Sequence, residues 1–280
     1  MLRPRKDVGI VGQRDNARAA DLAGEVVELL REAAVGVRVD IQTASVLGLE
    51  GTPVDQMRSC DLVVSIGGDG TFLFAAGGAG STPVLGINLG EVGFLNAVPP
   101  EEALPTIRRE IERFHETGSI RHREVPRVVV GGAEGWSLPP GLNEITIQGH
   151  QRGHVDGLNI EVRVDEALYS TAEGDGILVA TPTGSTAYNM SEGGPIVHPQ
   201  IDGFVVTDMC GSGSMPPLVV PLDADLTIRV AGADEAIVAR DGSDHRTIAP
   251  PTELTVAAAD EPAKVAGPVS DFFQALNKLE

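Results

Sequence analysis

The first third of the chain alternates short apolar runs with segments of helical periodicity. Residues 8–11 form a short buried-strand pattern, and residues 17–34 carry apolar side chains three and four positions apart. Further strand patterns occupy residues 35–41, 62–66 and 84–87. This alternation predicts an α/β domain, in which helices cover a parallel sheet.

The pattern changes after a helix predicted over residues 101–117, which ends at Gly118, a usual stop residue. From about residue 121 the chain shows short alternating segments separated by turn residues, which predicts a β-sandwich or a related stack of sheets. The segments are residues 127–130, 142–147, 158–164, 176–180, 204–209, 226–230 and 236–239.

The end of the chain adds one more helix. After the proline-broken stretch 250–268, Ser270 is placed to cap a final apolar helix. A lone helix needs a surface to pack on, so we expect it to return to one of the two domains. The predicted organisation is an α/β domain over residues 1–120, joined by 258–280, and a β-rich domain over residues 121–257.

Composition favours a globular protein, since 42% of the residues are hydrophobic and only 4% are aromatic. No apolar run approaches the roughly 18 residues of a membrane span, and the apolar stretch near the N-terminus is too short for a signal peptide. We therefore expect a cytoplasmic protein without a membrane partner. Cys60 and Cys210 fit no zinc or redox spacing and are interpreted as buried free thiols.

The charge is strongly acidic. The chain has 21 basic and 40 acidic side chains and a formal net charge of −19, which argues against a nucleic acid as partner. The only lysines are Lys6, Lys264 and Lys278, whereas arginines are common. We interpret this skew as adaptation to concentrated salt; the alternative is a merely acidic, well-hydrated surface.

The sharpest local feature is a glycine-rich turn that joins a buried strand to an apparent helix. It contains Gly67, Gly68, Asp69 and Gly70. Glycines let backbone N–H groups approach an anion, and the helix N-terminus favours negative charge, so the turn suits a polyphosphate. Asp69 would repel phosphate unless it faces an acceptor hydroxyl or a magnesium ion carried by the phosphates. The alternative is an ordinary tight turn.

A second cluster follows the strand at residues 176–180. Tyr188 offers a ring that can stack on a base, and Pro182 keeps Thr181 extended. The hydroxyl side chains beside it are Thr181, Thr183, Ser185 and Thr186. This combination can hold a nucleoside without adding charge, although such turns are often only surface loops.

Asn143 and Glu144 open another predicted strand and offer an amide and a carboxylate suited to ribose hydroxyls. Other nucleotide motifs are missing, because no glycine-rich loop precedes Lys-Ser or Lys-Thr and no Gly-x-Gly-x-x-Gly follows the first strand. His150 and His154 are four residues apart but lie between glycines in a predicted loop, so we assign no metal ligands.

Together these segments resemble the NAD kinases. The resemblance rests on Gly-Gly-Asp-Gly-Thr at 67–71, Asn-Leu-Gly at 88–90 with Gly-Phe-Leu at 93–95, Leu-Asn-Glu at 142–144, and the stretch 175–197. It implies an α/β domain followed by a β-rich NAD-binding domain. The implied reaction transfers a phosphoryl group from ATP or polyphosphate, with Mg²⁺, to the 2′-hydroxyl of the adenosine ribose of NAD. The resemblance also implies a homodimer or homotetramer.

The resemblance also implies roles for individual residues. Asp69 corresponds to the catalytic base, and Gly67, Gly68 and Gly70 shape its phosphate turn. The residues implied to bind NAD are Asn143, Glu144, Asp175, Thr183, Thr186, Ala187, Tyr188 and Ser191.

The chain departs from the family pattern at several positions. Gly77 and Glu173 stand where members usually carry basic residues, and the usual Asp-Gly-Gln is Asp241-Gly242-Ser243 here, with serine in place of glutamine. Two alternatives stay open, the first because of the missing basic positions and the second because other kinases share the glycine turn, although these should lack the hydroxyl-rich loop that is present here. One is a catalytically silent sensor that binds NAD or NADP, and the other is a Gly-Gly-Asp-Gly kinase that acts on a lipid or a sugar.

The charge generates a prediction about salt. Acidic side chains repel one another in dilute buffer, and salt shortens the screening length from about 10 Å at about 0.1 M to about 3 Å at about 1 M. We expect the melting temperature and the activity to rise across this range of potassium chloride. A melting temperature that stays flat or falls in a thermal melt series would show that the acidity serves only solubility, since screening weakens ordinary surface ion pairs.

Overall fold

The structure, a computed structural model, describes residues 7–90, 93–133, 135–149, 157–209, 211, 215–269 and 271–277. The chain divides into two compact units. One comprises Met1–Glu124 and Ala263–Glu280, and the other comprises Val125–Pro262.

The described residues form strands, α-helices and short 3₁₀ turns. The strands are β1 Asp7–Gly12, β2 Gly36–Asp40, β3 Gly51–Thr52, β4 Leu62–Gly67, β5 Val84–Asn88, β6 His122–Val125, β7 Val128–Gly132, β8 Glu144–Gly149, β9 Leu158–Val164, β10 Ala167–Gly174, β11 Gly176–Ala180, β12 Gly203–Met209, β13 Leu218–Pro221, β14 Leu226–Ala231, β15 Ala236–Arg240, β16 Asp244–Ile248, β17 Thr252–Ala258 and β18 Ala263–Ala266. The α-helices are α1 Ala17–Glu32, α2 Ile41–Leu47, α3 Asp69–Ala79, α4 Ala103–Thr117, α5 Tyr188–Ser191 and α6 Phe272–Leu276. The 3₁₀ turns are Val54–Ser59, Pro100–Glu102 and Gly184–Thr186.

The first unit is built on a seven-stranded sheet in the order β3-β2-β1-β4-β5-β18-β6. Strands β1, β2, β3, β4, β5 and β18 pair in parallel. The order of the strands reverses between β1 and β4, and in open parallel sheets ligands bind in the crevice at the carboxyl ends of the strands beside such a reversal. The predicted α/β domain with a parallel sheet is confirmed.

Helix α1 shows why this unit folds as the sequence predicts. The Asn16 side chain accepts a hydrogen bond from the Ala19 N–H and caps the helix. The side chains that α1 buries against the sheet are spaced three and four residues apart: Ala19, Leu22, Ala23, Val26, Val27 and Leu30. Helix α4 ends as predicted at Gly118, which adopts φ 75°.

Two local predictions are corrected. The strand predicted over residues 35–41 ends at Asp40, whose carboxylate accepts hydrogen bonds from Gln42 and Thr43 and starts α2. A side-chain cap thus overrides the alternating pattern. The proline-broken stretch 250–268 contains two strands, β17 and β18, and β18 pairs with β5 of the first sheet.

The second unit contains two antiparallel sheets. One has the order β10-β9-β14-β17-β7 and the other β13-β12-β11-β8-β15-β16. Buried aliphatic side chains from both sheets belong to a single core, for example Ile160 and Ile228 from one sheet and Ile147 and Ile177 from the other. One core enclosed by two sheets is a sandwich, so the predicted β-rich domain is confirmed.

The C-terminal helix packs back on the first unit. Asp271 caps α6 by accepting hydrogen bonds from Phe273 and Gln274, whereas Ser270, the predicted cap, lies outside the described residues. The Phe272 ring contacts the Phe94 ring with centroids 6.1 Å apart. The predicted return of this helix is therefore confirmed.

Two further observations concern the chain as a whole. Of the helices that the structure describes, none is both long and apolar enough to span a membrane. Cys60 is a free, buried cysteine as predicted, and burial raises its pKa to about 11. Cys210 lies outside the described residues.

Candidate active site

The glycine-rich turn of the first unit lies at the carboxyl end of β4, beside the reversal of strand order. Gly67 ends β4, Gly68 precedes α3 and Asp69 is the first residue of that helix. A Cβ atom on Gly67 would lie 2.4 Å from the Thr71 Oγ1, so this position requires glycine. Cβ atoms on Gly68 or Gly70 would meet nothing within 4 Å, which leaves the turn open to a bound group.

The Asp69 carboxylate is fixed by a distant loop. Its Oδ2 accepts a hydrogen bond from the Phe94 N–H at 3.1 Å. Its Oδ1 accepts one from the Leu95 N–H at 3.4 Å and one from the Asn96 Nδ2 at 3.0 Å. Asp69 itself is half-buried. The carboxylate is thus held in one orientation, and Oδ2 keeps room for a further hydrogen bond.

A cavity of about 460 Å³ lies next to this loop in the same unit. It shares Gly93 and Asn96 with the loop that holds Asp69, and Arg18 of α1 contributes a cationic side chain. The described residues offer Arg18 no hydrogen bond or ion pair. Sequence analysis missed Arg18, because an arginine in the first turn of a helix carries no signal by itself.

The second unit carries Asn143 and Glu144 where β8 begins. Both residues are nearly inaccessible, with 8% and 6% of their surface exposed. The Asn143 Oδ1 and the Glu144 Oε2 are buried and have no hydrogen-bond partner among the described residues. Buried polar atoms are nearly always satisfied in folded proteins, so these two oxygens point to a ligand group that donates to them.

The environment of Glu144 favours its protonated form. Burial, with a smaller contribution from the negative charge of Asp241, raises the pKa of Glu144 from 4.5 to about 8. Burial also raises the pKa of Asp241, although three backbone N–H groups that donate to it and nearby Arg240 oppose this shift. The two carboxyl groups therefore form a coupled, buried acidic pair.

Hydrogen bonds from Thr181 hold the loop after β11 against Leu142 and Asn143. The Thr181 N–H donates to the Asn143 carbonyl, and the Thr181 hydroxyl donates to the Leu142 carbonyl. The Ser185 hydroxyl accepts from the Val197 N–H and lies 2.7 Å from the Pro182 carbonyl oxygen. Thr181 and Ser185 therefore hold the loop together, and their hydroxyls are engaged within the protein.

The other predicted residues of this loop are more accessible. Thr183, Thr186, Ala187 and Tyr188 are half-buried, and Ser191 is exposed. The Tyr188 ring packs on the apolar cluster that contains Leu178, Ala180, Val197, Val205 and Met209. Because Ala180 pairs with Glu144 in the register of β8 and β11, the loop begins beside Asn143 and Glu144.

Asp175 lies at the opposite end of the same strand. Gly176 pairs with Gln148, whereas Ala180 pairs with Glu144. Four residues of strand span about 14 Å, so the second unit does not bring Asp175 next to Asn143. Glu173, one of the two positions that depart from the family pattern, is exposed on β10.

Two buried residues of this region were missed as functional candidates. Asn189 is fully buried, accepts from the Thr207 hydroxyl at 2.8 Å and donates to the Pro195 carbonyl at 3.0 Å. Asp241 was noted only as part of a departure from the family pattern, but its carboxylate contacts the 142–144 segment. No sequence signal reveals either contact, because the partners are distant along the chain. His150 and His154 lie outside the described residues.

The raised pKa of Glu144 predicts a specific pH effect on stability. The folded protein holds this proton more tightly than the unfolded chain, so the contribution is complete below pH 4.5 and is lost as the pH rises through about 8. We expect Glu144→Gln to gain stability relative to the parent by a few kcal/mol across that window, at about 1.4 kcal/mol per pKa unit.

Melting temperatures in concentrated potassium chloride at the two ends of the window check this expectation. Glu25→Gln, at an exposed position of α1, is the charge-matched control and should follow the parent. A difference between Glu144→Gln and the parent that does not change with pH contradicts the prediction.

Each of the two units matches a separate model of a known protein family. The family model "ATP-NAD kinase N-terminal domain" matches residues 8–114, and "ATP-NAD kinase C-terminal domain" matches residues 142–267. The chain is 57% identical to an NAD kinase of Halobacterium salinarum, covering 98% of this chain and 99% of that protein. It is 35% identical to an NAD kinase of Methanosarcina mazei, covering 92% and 88%.

Solved structures share the fold. An NAD kinase from Archaeoglobus fulgidus, crystallised in complex with ATP, aligns with a TM-score of 0.77 and 24% identity, covering 99% of this chain and all of that one. A yeast NADH kinase in complex with NADH aligns with a TM-score of 0.84 and 23% identity, covering 99% and 88%. The predicted resemblance is confirmed: with both family models and near full-length relatives matched, this chain belongs to the NAD kinase family.

Proposed function

We propose that this protein transfers a phosphoryl group from ATP or polyphosphate to the 2′-hydroxyl of the adenosine ribose of NAD and releases NADP. The observation that carries the proposal is the Asp69 carboxylate, fixed at the start of α3 beside an open glycine turn. Such a turn suits phosphate oxygens, and a fixed carboxylate suits a hydroxyl that must lose its proton.

Asp69 acts as the general base in this proposal. Among the described residues its Oδ2 accepts the Phe94 N–H alone, and in this proposal it takes the proton of the ribose hydroxyl as the new O–P bond forms. The bond to the leaving phosphate breaks, and ADP or a shortened polyphosphate departs. A magnesium ion carried by the phosphates of the donor would supply charge neutralisation there. Arg18 is the cationic side chain we assign to the donor phosphates, since Gly77 offers none.

Asn143 and Glu144 bind the ribose hydroxyls of NAD in this proposal. Their unpartnered Oδ1 and Oε2 atoms supply acceptors that the folded protein leaves unused. The remaining residues assigned to NAD are Asp175, Thr183, Thr186, Ala187, Tyr188 and Ser191. We also propose that the protein is cytoplasmic and forms a homodimer or homotetramer; the resemblance to the family supports the oligomer.

A catalytically silent sensor of NAD or NADP is the second candidate. It is favoured by two positions that are usually basic in the family. Gly77 carries no charge at one of them, and Glu173 carries a negative charge at the other. The lipid or sugar kinase loses support, because both domain models of the NAD kinase family match this chain.

One assay separates these functions. The protein is incubated in concentrated potassium chloride with NAD, magnesium and either ATP or polyphosphate, and NADP is measured. NADP production supports the kinase and identifies the donor. Tight NAD binding in calorimetry without NADP from any donor supports the sensor instead.

Asp69→Asn tests the base directly. The amide keeps the size of the side chain but cannot take the proton, so we expect turnover to fall by about two to four orders of magnitude while NAD still binds. Asp55→Asn, at an exposed position, is the charge-matched control. Asn96→Ala removes one hydrogen bond to Asp69 but keeps the carboxylate. We expect its turnover to fall much less than that of Asp69→Asn. Equal losses in Asp69→Asn and Asn96→Ala would assign Asp69 to loop anchoring alone.

A further inference from the structure

The hairpin between β15 and β16 turns tightly at Asp241. Asp241 adopts φ 47° and Gly242 adopts φ 63°, and the Ser243 N–H donates to the Arg240 carbonyl at 2.9 Å. Arg240 pairs with Asp244, so residues 241–243 form the connection, and aspartate tolerates the left-handed conformation better than most residues. The turn aims the Asp241 side chain inward, where 2% of it is exposed.

The Asp241 carboxylate accepts hydrogen bonds from three consecutive backbone N–H groups. Its Oδ2 accepts from Leu142 at 2.9 Å, and its Oδ1 accepts from Asn143 at 2.8 Å and from Glu144 at 3.1 Å. The Asp241 N–H in turn donates to the Glu144 carbonyl at 3.0 Å. A buried anion on three N–H donors is a strong and directional contact, so the backbone of residues 142–144 has one orientation.

The fit around this contact is close. A Cβ atom on Gly141 would lie 3.1 Å from the Asp241 Oδ1 and 3.2 Å from the Glu144 carbonyl oxygen. The Asn143 Oδ1 and the Glu144 Oε2, which have no partner among the described residues, project from the same segment. The direction of those two side chains therefore depends on the Asp241 carboxylate.

We propose that Asp241 is a positioning residue for NAD, acting through the backbone of residues 142–144 to aim Asn143 and Glu144 at the ribose. This inference rests on the proposed function, in which those two residues bind NAD. Asp241 itself need not touch the substrate.

The charged groups around Glu144 affect its pKa, which can be followed as a second measurement. They are Asp241, which accepts from the Glu144 N–H, and Arg240 and Asp244 of the same hairpin, which form an ion pair with each other. Strand β11, which pairs with β8 on its other side, presents Ala180 opposite Glu144. Because the charge of Asp241 helps to raise the pKa of Glu144, neutralising Asp241 lowers that pKa.

The experiment compares Asp241→Asn with Asp234→Asn in the full-length protein. The Asn side chain tolerates the left-handed backbone but places an NH₂ group against one of the three N–H donors, so the segment shifts. We expect the KM for NAD to rise about tenfold or more, with a smaller change in kcat and no change in the KM for ATP. Asp234→Asn loses an equal charge from an exposed position of the same unit and should match the parent.

The pH dependence of NAD binding separates positioning from general destabilisation. In Asp241→Asn the midpoint of that dependence should lie below the midpoint of the parent, because the charge of Asp241 helps to raise the pKa of Glu144. Gly141→Ala, which crowds the Asp241 carboxylate without changing charge, should raise the KM for NAD and leave the midpoint in place. If the melting profile shows that Asp241→Asn does not fold, the KM for NAD of Gly141→Ala alone tests the inference.

The outcomes are distinguishable. If the parent makes NADP and Asp241→Asn has the same KM for NAD and the same pH midpoint of NAD binding as the parent, the inference is overturned and the proposed function stands. If Asp241→Asn does not fold and Gly141→Ala keeps the parent KM, the inference is overturned in the same way. A parent that neither binds NAD nor makes NADP overturns both.

Discussion

The Asp69 carboxylate accepts hydrogen bonds from Phe94 and Asn96, which lie 25 and 27 residues further along the chain. The same kind of contact recurs in the second unit, where Asp241 accepts from Asn143, 98 residues before it. In each unit a carboxylate is satisfied by the backbone of a distant loop. The backbone N–H groups compensate for the desolvation of these anions and at the same time fix the segments that carry the site.

The two units offer different hydrogen-bonding groups for the proposed reaction. The parallel sheet ends in a glycine turn with open space at Gly68 and Gly70, where phosphate oxygens can approach the backbone. The sandwich instead buries acceptor oxygens of Asn143 and Glu144 that the protein leaves unpaired. Open backbone donors suit an anion, and buried acceptors suit hydroxyl groups, so in the proposed function phosphate and ribose are bound by groups of opposite hydrogen-bonding character.

The protein and its proposed substrates carry charge of the same sign and repel one another. The chain carries a net charge of −19, and its proposed substrates are anions. In the first unit Arg18 lines the cavity, whereas in the second unit Glu173 stands at a position that is usually basic in the family. Screening by salt weakens this repulsion over distances beyond a few ångströms, which links the composition of the surface to the function of the site.

The sequence by itself determined the class of each domain, the long helices and the glycine turn, because periodicity and local turn chemistry depend on near neighbours. Residues 17–34 were predicted as a helix and form α1, and residues 158–164 were predicted as a strand and form β9. Local patterns failed where side chains act on the backbone, as at Asp40, or where a strand such as β18 joins a sheet formed by distant residues. Tertiary structure alone decided that Thr181 and Ser185 are engaged within the loop, and that Asp241 reaches Asn143 and Glu144. Those contacts join residues far apart along the chain, and pairing across such distances leaves no trace in the spacing of either segment.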